Sequence, residues 1–166
     1  MGRDKARLPF RGATLSQTIF DAVQTAAGEA FFVGNPELGG IPDRYPGEGP
    51  LGGILTALEH SRAEWNLIVA CDLPELTADF LRSLLDEAAR VSCDVLLPHA
   101  PGGRPEPLCA VYRQTARPAL AGSFAAGTRK ITDALAGLAV YPLEVKEVLP
   151  FQNVNTPEDW SRYAAG

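Results

Sequence analysis

No stretch of this sequence approaches the roughly 20 consecutive apolar residues that a membrane-spanning helix needs. Its start, Met1-Gly2-Arg3-Asp4-Lys5, has no apolar core of the kind a secretory signal carries. A cytoplasmic protein with no membrane partner is expected. Clustered positive charge is missing too, with 15 Lys and Arg against 20 Asp and Glu and a net charge of −5. Surfaces that hold nucleic acid concentrate Lys and Arg, so nucleic acid is not an expected partner; a local basic site for a small anion is still compatible with these counts. Cysteine is scarce and odd in number. Cys71, Cys93 and Cys109 fall in or beside predicted strands and read as small buried hydrophobes with reduced thiols. His60 and His99 have no second ligand three or four residues away, so no His/Cys metal cage is spelled out. Nothing local supports a nucleophile pair of Cys109 with His99. Internal repeats are absent.

A chain of 166 residues suits a single domain, residues 1–166, that buries about 70% of its unfolded surface without disulfide or metal staples. Its organising stretch is Leu67-Ile68-Val69-Ala70-Cys71, an apolar run stopped by Asp72-Leu73-Pro74. A run with no polar alternation predicts a strand buried on both faces, as in a parallel sheet covered by helices. Ligands collect beyond the carboxyl ends of such strands, which makes Asp72 the first candidate for chemistry. A single aspartate at a strand tip suits Mg²⁺, which takes one or two carboxylates plus substrate phosphates. The competing reading is that Asp72 caps the turn into a helix starting near Thr77.

Along the chain, a polar, basic N-terminal loop precedes a helix capped by Thr14 with Gln17 three residues on, with Leu15, Ile19 and Val23 on one face and Gly28 past its end. Ala30 to Val33 reads as a short strand. A breaker-rich loop follows, and a second helix opens at Pro50 with Leu51, Ile54, Leu55 and Leu58 at helical spacing. Thr77 caps a third helix, whose Leu81, Leu84, Leu85 and Ala88 repeat that pattern; Asp94 to Leu97 is the next strand. Residues 98–107 read as a loop and Leu108 to Tyr112 as a strand. Gln114 to Gly137 reads as two helical pieces broken near Gly127, and Leu138 to Val148 as extended chain. A last helix begins at Thr156, with Pro157 at its first position. Alternation of strand and helix predicts an α/β, doubly wound domain.

Other residues suited to a ligand have structural readings beside them. Lys5 could neutralise a phosphate or simply face solvent. The glycines of Gly49-Pro50-Leu51-Gly52-Gly53 would let a ligand approach bare backbone at a helix start, or let that helix pack closely. Asp43 could accept from a purine edge or ribose, or nucleate the turn before Pro46. Asn153 and Asn155, two apart, point to one side of extended chain, yet Asn155 before Thr156 also reads as a cap.

Taken together, Gly2-Arg3-Asp4-Lys5-Ala6 with Leu8-Pro9-Phe10, Gly49-Pro50-Leu51-Gly52-Gly53, Ala70-Cys71-Asp72-Leu73-Pro74, Arg104-Pro105-Glu106-Pro107-Leu108 and Asn153-Val154-Asn155-Thr156-Pro157-Glu158 resemble, in order, the motifs of the molybdenum cofactor guanylyltransferase family of MobA type. The resemblance implies a three-layer, Rossmann-like nucleotidyltransferase fold with a mostly parallel, mixed sheet. The implied reaction joins GMP from GTP to molybdopterin and releases pyrophosphate. Lys5 and Asp72 would be catalytic, with Asp72 on Mg²⁺. Lys5, Asp43, Leu51, Gly52 and Asp72 would contact the nucleotide; Arg104, Pro105, Glu106, Asn153 and Asn155 would face molybdopterin. GTP, molybdopterin, recipient molybdoenzyme apoproteins and cofactor chaperones are the implied partners. CMP transfer, a sugar-phosphate acceptor and an inactive cofactor-binding module are the alternatives. The chain departs from the family at its start, where an apolar strand and a glycine-rich phosphate-binding loop would precede residue 1. The expectation is a sheet with a strand missing from its middle, and weak or no GTP binding.

Overall fold

The computed structural model describes residues 9–10, 13–146 and 149–151. Lys5, Asn153, Asn155 and the helix expected from Thr156 lie outside them. A two-stranded ribbon, β1 (Pro9–Phe10) with β2 (Ala13–Thr14), leads into α1 (Leu15–Ala27). As the Thr-x-x-Gln pattern predicts, the Thr14 hydroxyl accepts from the Gln17 N–H, and Gly28 ends the helix at φ 85°, where only glycine is unstrained. Then follow α2 (Pro50–His60), β3 (Trp65–Val69), α3 (Ala78–Arg90), β4 (Val95–Ala100), β5 (Arg104–Pro105), β6 (Cys109–Arg113), α4 (Arg117–Ala125), α5 (Ile131–Ala134) and β7 (Val140–Glu144).

The main sheet runs β3-β6-β4-β5, with β7 also on β4. β6 is antiparallel to both β3 and β4, and β7 is parallel to β4. Three of the four long strands, β3, β4 and β7, therefore point the same way and only β6 opposes them. This is a mixed sheet with its carboxyl ends mostly on one edge.

Period-two alternation along these strands divides the core into two halves. Leu96, Cys109 and Val111 pack with Leu15, Ile19, Leu81, Leu84 and Ala88 from α1 and α3. Val95, Leu97, Ala110 and Tyr112 pack with Leu51, Ile54, Leu55, Leu58 and Leu120 from α2 and α4. Helices cover both faces, giving three layers, and the helical faces read from sequence are the buried ones. Among the described residues no helix is long and apolar enough to cross a membrane. Truncating any of the fully buried leucines to alanine costs about 2–5 kcal/mol by lost transfer energy plus cavity.

Three local expectations need correction. Ala30 to Val33 forms no strand, only an isolated bridge from Val33 to Ile41, because among the described residues no strand lies on its other side to complete a ladder. The organising run is not buried on both faces: β3 ends at Val69, pairs among the described residues with β6 alone, and leaves Leu67, Ile68 and Val69 half-buried at the margin of the described sheet. Finally, the stretch 98–107 is not all loop: the chain from Pro98 is strand as far as Ala100, and Arg104–Pro105 pairs back on it as β5. Pro98 is tolerated because it sits where β4 passes from pairing with β6 at Leu96 to pairing with β5 at His99.

Cys93 and Cys109 are buried free thiols and Cys71 is half-buried. Burial pushes the Cys109 thiol up to about 12, and its nucleophilic form is correspondingly suppressed.

Candidate active site

Because β3, β4 and β7 share a direction, the chain leaving each of them emerges at one edge. β6 runs the other way, so the segment that enters it, residues 104–108, arrives at that same edge. Asp72 sits in the turn just past β3. The turn is held by what flanks it: the Ala70 N–H bonds the Leu108 carbonyl at 2.7 Å, and Leu73, Pro74 and Leu76 are buried in the core below. Helix α3 takes its cap from the Thr77 hydroxyl, which accepts the Phe80 N–H at 3.2 Å. The helix therefore does not need Asp72 as its cap.

Arg104, Pro105 and Glu106 come to the same edge. The Glu106 N–H bonds the Pro98 carbonyl and the Cys109 N–H bonds the Glu106 carbonyl, fixing this segment between β4 and β6. Arg104 Nη2 lies 2.7 Å from Glu106 Oε1, an ion pair not aligned as a hydrogen bond, and donates to the Phe151 carbonyl at 3.3 Å. Burial, more than any charge, raises the Glu106 carboxyl above its ordinary value; Arg104 opposes the shift and the Asp72 carboxylate adds to it. The Asp72 carboxylate is thus near enough for its charge to act on Glu106. Phe151, which Arg104 holds, is two residues ahead of Asn153.

A second group stands on α2 and the loop before it. Asp43 Oδ1 accepts from the Tyr45 N–H at 3.0 Å and from the Thr56 hydroxyl at 2.9 Å, while the Arg44 N–H donates to the Thr56 oxygen. Glu59 takes the Arg44 guanidinium at 2.8 Å and the Tyr45 hydroxyl at 2.9 Å, the latter bond raising the tyrosine's pKa. The turn-forming reading of Asp43 is therefore realised, tied to α2 by Thr56. Leu51 is wholly buried, and the Gly52 N–H already bonds the Gly49 carbonyl at 3.1 Å. A Cβ on Gly52 would stand 2.8 Å from that of Tyr45, so this glycine serves close packing. Gly53 instead has nothing within 4 Å of where a Cβ would be, and it lines a cavity.

Of the residues singled out from sequence, the structure brings Asp72, Arg104, Pro105 and Glu106 together, and groups Asp43, Leu51 and Gly52 on α2. Thr56 and Gly53 were missed. Gly53 was inside a quoted motif but indistinguishable from Gly52, whereas Thr56 carries no signal until the loop folds back on the helix.

The family of MobA-like NTP transferase domains matches residues 1–140 of the chain. A probable molybdenum cofactor guanylyltransferase of Carboxydothermus hydrogenoformans is 31% identical, the match covering 98% of this chain and 87% of that protein. Another of the same name, from Nostoc, is 32% identical over 96% of this chain and 82% of the relative. The crystal structure of molybdopterin-guanine dinucleotide biosynthesis protein A from Archaeoglobus fulgidus superposes with a TM-score of 0.80 at 28% identity, covering 98% of this chain and 89% of that one. The 2-C-methyl-D-erythritol 4-phosphate cytidylyltransferase of Thermus thermophilus, at 20% identity and a TM-score of 0.73, shares the fold. With carboxylates and a guanidinium gathered at the carboxyl edge of such a sheet, and with matches of this length, the chain belongs to the family of MobA-like NTP transferase domains and is an enzyme of the nucleotidyltransferase class.

Proposed function

We propose that the chain transfers GMP from GTP to molybdopterin, giving the guanine dinucleotide form of the cofactor and pyrophosphate. The observation that carries the reading is the carboxyl edge of β3 and β4, to which the turn with Asp72 and the Arg104–Glu106 ion pair both come; the names borne by its relatives supply the substrates. In the reaction a phosphate oxygen of molybdopterin forms a bond to the α-phosphorus of GTP. The bond from that phosphorus to the bridging oxygen breaks, and its electron pair leaves with pyrophosphate. The attacking phosphate is already ionised, so no protein base is needed and the work is alignment and charge neutralisation.

Asp72, half-buried and set against the neighbouring carboxylate of Glu106, suits a divalent cation, since Mg²⁺ takes one or two carboxylates and completes its shell with phosphate and water. When bound, Mg²⁺ would neutralise charge on the triphosphate. Arg104 offers guanidinium donors to an anionic group at this edge and is aimed by Glu106 and the Phe151 carbonyl. Lys5 is assigned to the nucleotide phosphates, with Asn153 and Asn155 assigned to the pterin. Asp43, Leu51 and Gly52 shape the base-side wall through the backbone, because their own polar groups and side chains are engaged.

The test is GMP transfer by wild type and Asp72→Ala, beside thermal-shift titrations with GTP, CTP and ATP in the presence of Mg²⁺. Loss of transfer with an unchanged melting temperature supports the role of Asp72; undiminished transfer overturns it. A larger shift with CTP than with GTP overturns the guanine assignment.

A further inference from the structure

The turn that leads into α2 protrudes. Pro46 to Gly49 are exposed, and Gly47 and Gly49 both stand at φ 80° with nothing within 4 Å of where a Cβ would be. Helix α2 runs back along β3 before the chain enters that strand, so the turn stands at the end of β3 that carries Asp72; Pro50 borders the same cavity as Ala70 and Cys71. A segment hinged on two glycines beside the site needs something to hold it. Its own backbone supplies one bond, from the Glu48 N–H to the Tyr45 carbonyl at 3.1 Å. Another comes from 81 residues further along the chain.

Arg129, in the connector between α4 and α5, donates from Nε to Glu48 Oε2 at 2.7 Å and from Nη1 to the Phe124 and Thr128 carbonyls at 2.9 and 3.1 Å. Its guanidinium carbon lies 4.1 Å from the centre of the Phe124 ring, and that ring meets the Tyr45 ring edge to face at 4.9 Å. Glu48, Arg129, Phe124 and Tyr45 thus close a circuit on both ends of the turn. Half-exposed ion pairs add little to stability, because ordering two long side chains offsets their attraction. Both members of this one are half-exposed. Yet two carbonyls and a ring already order the Arg129 guanidinium, so Glu48 meets a donor fixed in advance. What the pair sets is the place of the turn, not the survival of the fold.

We propose that Arg129 is a positioning residue for nucleotide binding: through Glu48, and through the Phe124 ring against Tyr45, it holds residues 45–49 as the outer wall of the base side of the site. The proposal rests on the reading above that Asp43, Leu51 and Gly52 form that side. It makes the α4–α5 connector, which carries no motif of its own, a determinant of nucleotide affinity.

The experiment compares the chain with Arg129→Ala, Glu48→Ala and the double variant by calorimetric titration with nucleoside triphosphates and with inorganic triphosphate, all with Mg²⁺. Each single variant should bind the nucleotide that the wild type prefers about 5–10-fold more weakly, the scale of one hydrogen bond lost at a half-exposed site. Inorganic triphosphate should bind as it does to wild type. The double variant should be no weaker than either single one, because both remove the same contact. Arg129→Lys, which keeps a charge beside Glu48, should recover part of the loss. In GMP transfer the KM for the nucleotide should rise while kcat and the KM for molybdopterin stay. Amide exchange, which needs no ligand, should quicken at Gly47 to Gly49 in Arg129→Ala with Tm unchanged. Equal weakening of nucleotide and inorganic triphosphate overturns the proposal, as does unaltered exchange at 47–49. So does a lower Tm with faster exchange throughout, which would make Arg129 a support of the fold. Because the ratio of variant to wild type is read on whichever nucleotide binds best, the guanine assignment and this proposal fail separately.

Discussion

Replacing Tyr112 by phenylalanine isolates a single hydrogen bond to the segment that carries Arg104 and Glu106. Tyr112 is fully buried, and its hydroxyl donates to the Pro107 carbonyl at 2.8 Å. Pro107 lies in the segment that carries Arg104 and Glu106, which is also tied down by the bonds from Glu106 to Pro98, from Cys109 to Glu106, from Ala70 to Leu108 and from Arg104 to Phe151. Phenylalanine keeps the ring and its packing against α2 and α4, so packing alone predicts no change. Losing the bond and leaving a half-buried carbonyl without its donor costs about 1.5 kcal/mol. For a domain of this size that lowers Tm by about 3–6 °C. The alkaline limb should change as well. Burial raises the phenol above its ordinary value of 10.0, so its contribution to stability is complete below pH 10 and falls as pH rises beyond that, where the unfolded chain releases the proton first. The variant should therefore melt lower at pH 7 yet lose less stability between pH 10 and 11. Calorimetry at the two pH values decides the matter; a Tm within 1 °C of wild type at pH 7 would show that the hydroxyl contributes nothing and that the segment is held by other means.

Adjacent glycines should respond oppositely: Gly52→Ala drives a Cβ to 2.8 Å from that of Tyr45 and should cost about 1–3 kcal/mol. Gly53→Ala meets nothing within 4 Å and should gain up to about 1 kcal/mol of helix propensity; chemical denaturation of the pair reads both, and equal signs would refute the assigned packing. Thr56→Val removes the hydroxyl that joins Asp43 and the Arg44 N–H and should free the 43–45 turn, seen as faster amide exchange at Arg44 with the α3 amides unaffected. Cys109, pushed from 9.0 up to about 12 by burial, should lose stabilising effect as pH climbs through that window, and Cys109→Ala should flatten that part of the pH–stability curve. Asp72→Asn removes a charge that raises the Glu106 carboxyl; carbon-13 titration should find Glu106 ionising at lower pH in the variant, and an unmoved midpoint would separate the two residues.

Residue pattern alone specified the helices, because a face repeating at 3.6 residues is satisfied by burial against almost any sheet. The caps at Thr14 and Thr77, the break at Gly127 and the fully buried leucines of α2 and α3 followed from local chemistry. The motif around Asp72 and the Arg104-Pro105-Glu106 stretch were equally legible as residues, though not as neighbours: about thirty residues separate them, and only the reversed course of β6 carries the second to the tip of β3. Tertiary structure also decided the fate of two apolar runs. A strand's pattern states which faces it can bury but is silent on whether a ladder partner stands beside it, which is why, among the described residues, Ala30 to Val33 makes no more than a single bridge and Leu67 to Val69 stay half-exposed. Pro98 shows the converse, a breaker by composition that a change of pairing partner accommodates. Asp43 and Gly52, ambiguous as sequence between binding and scaffolding, show their scaffolding partners only in the fold, since hydrogen-bond partners and interatomic gaps come into being only when distant parts of the chain meet.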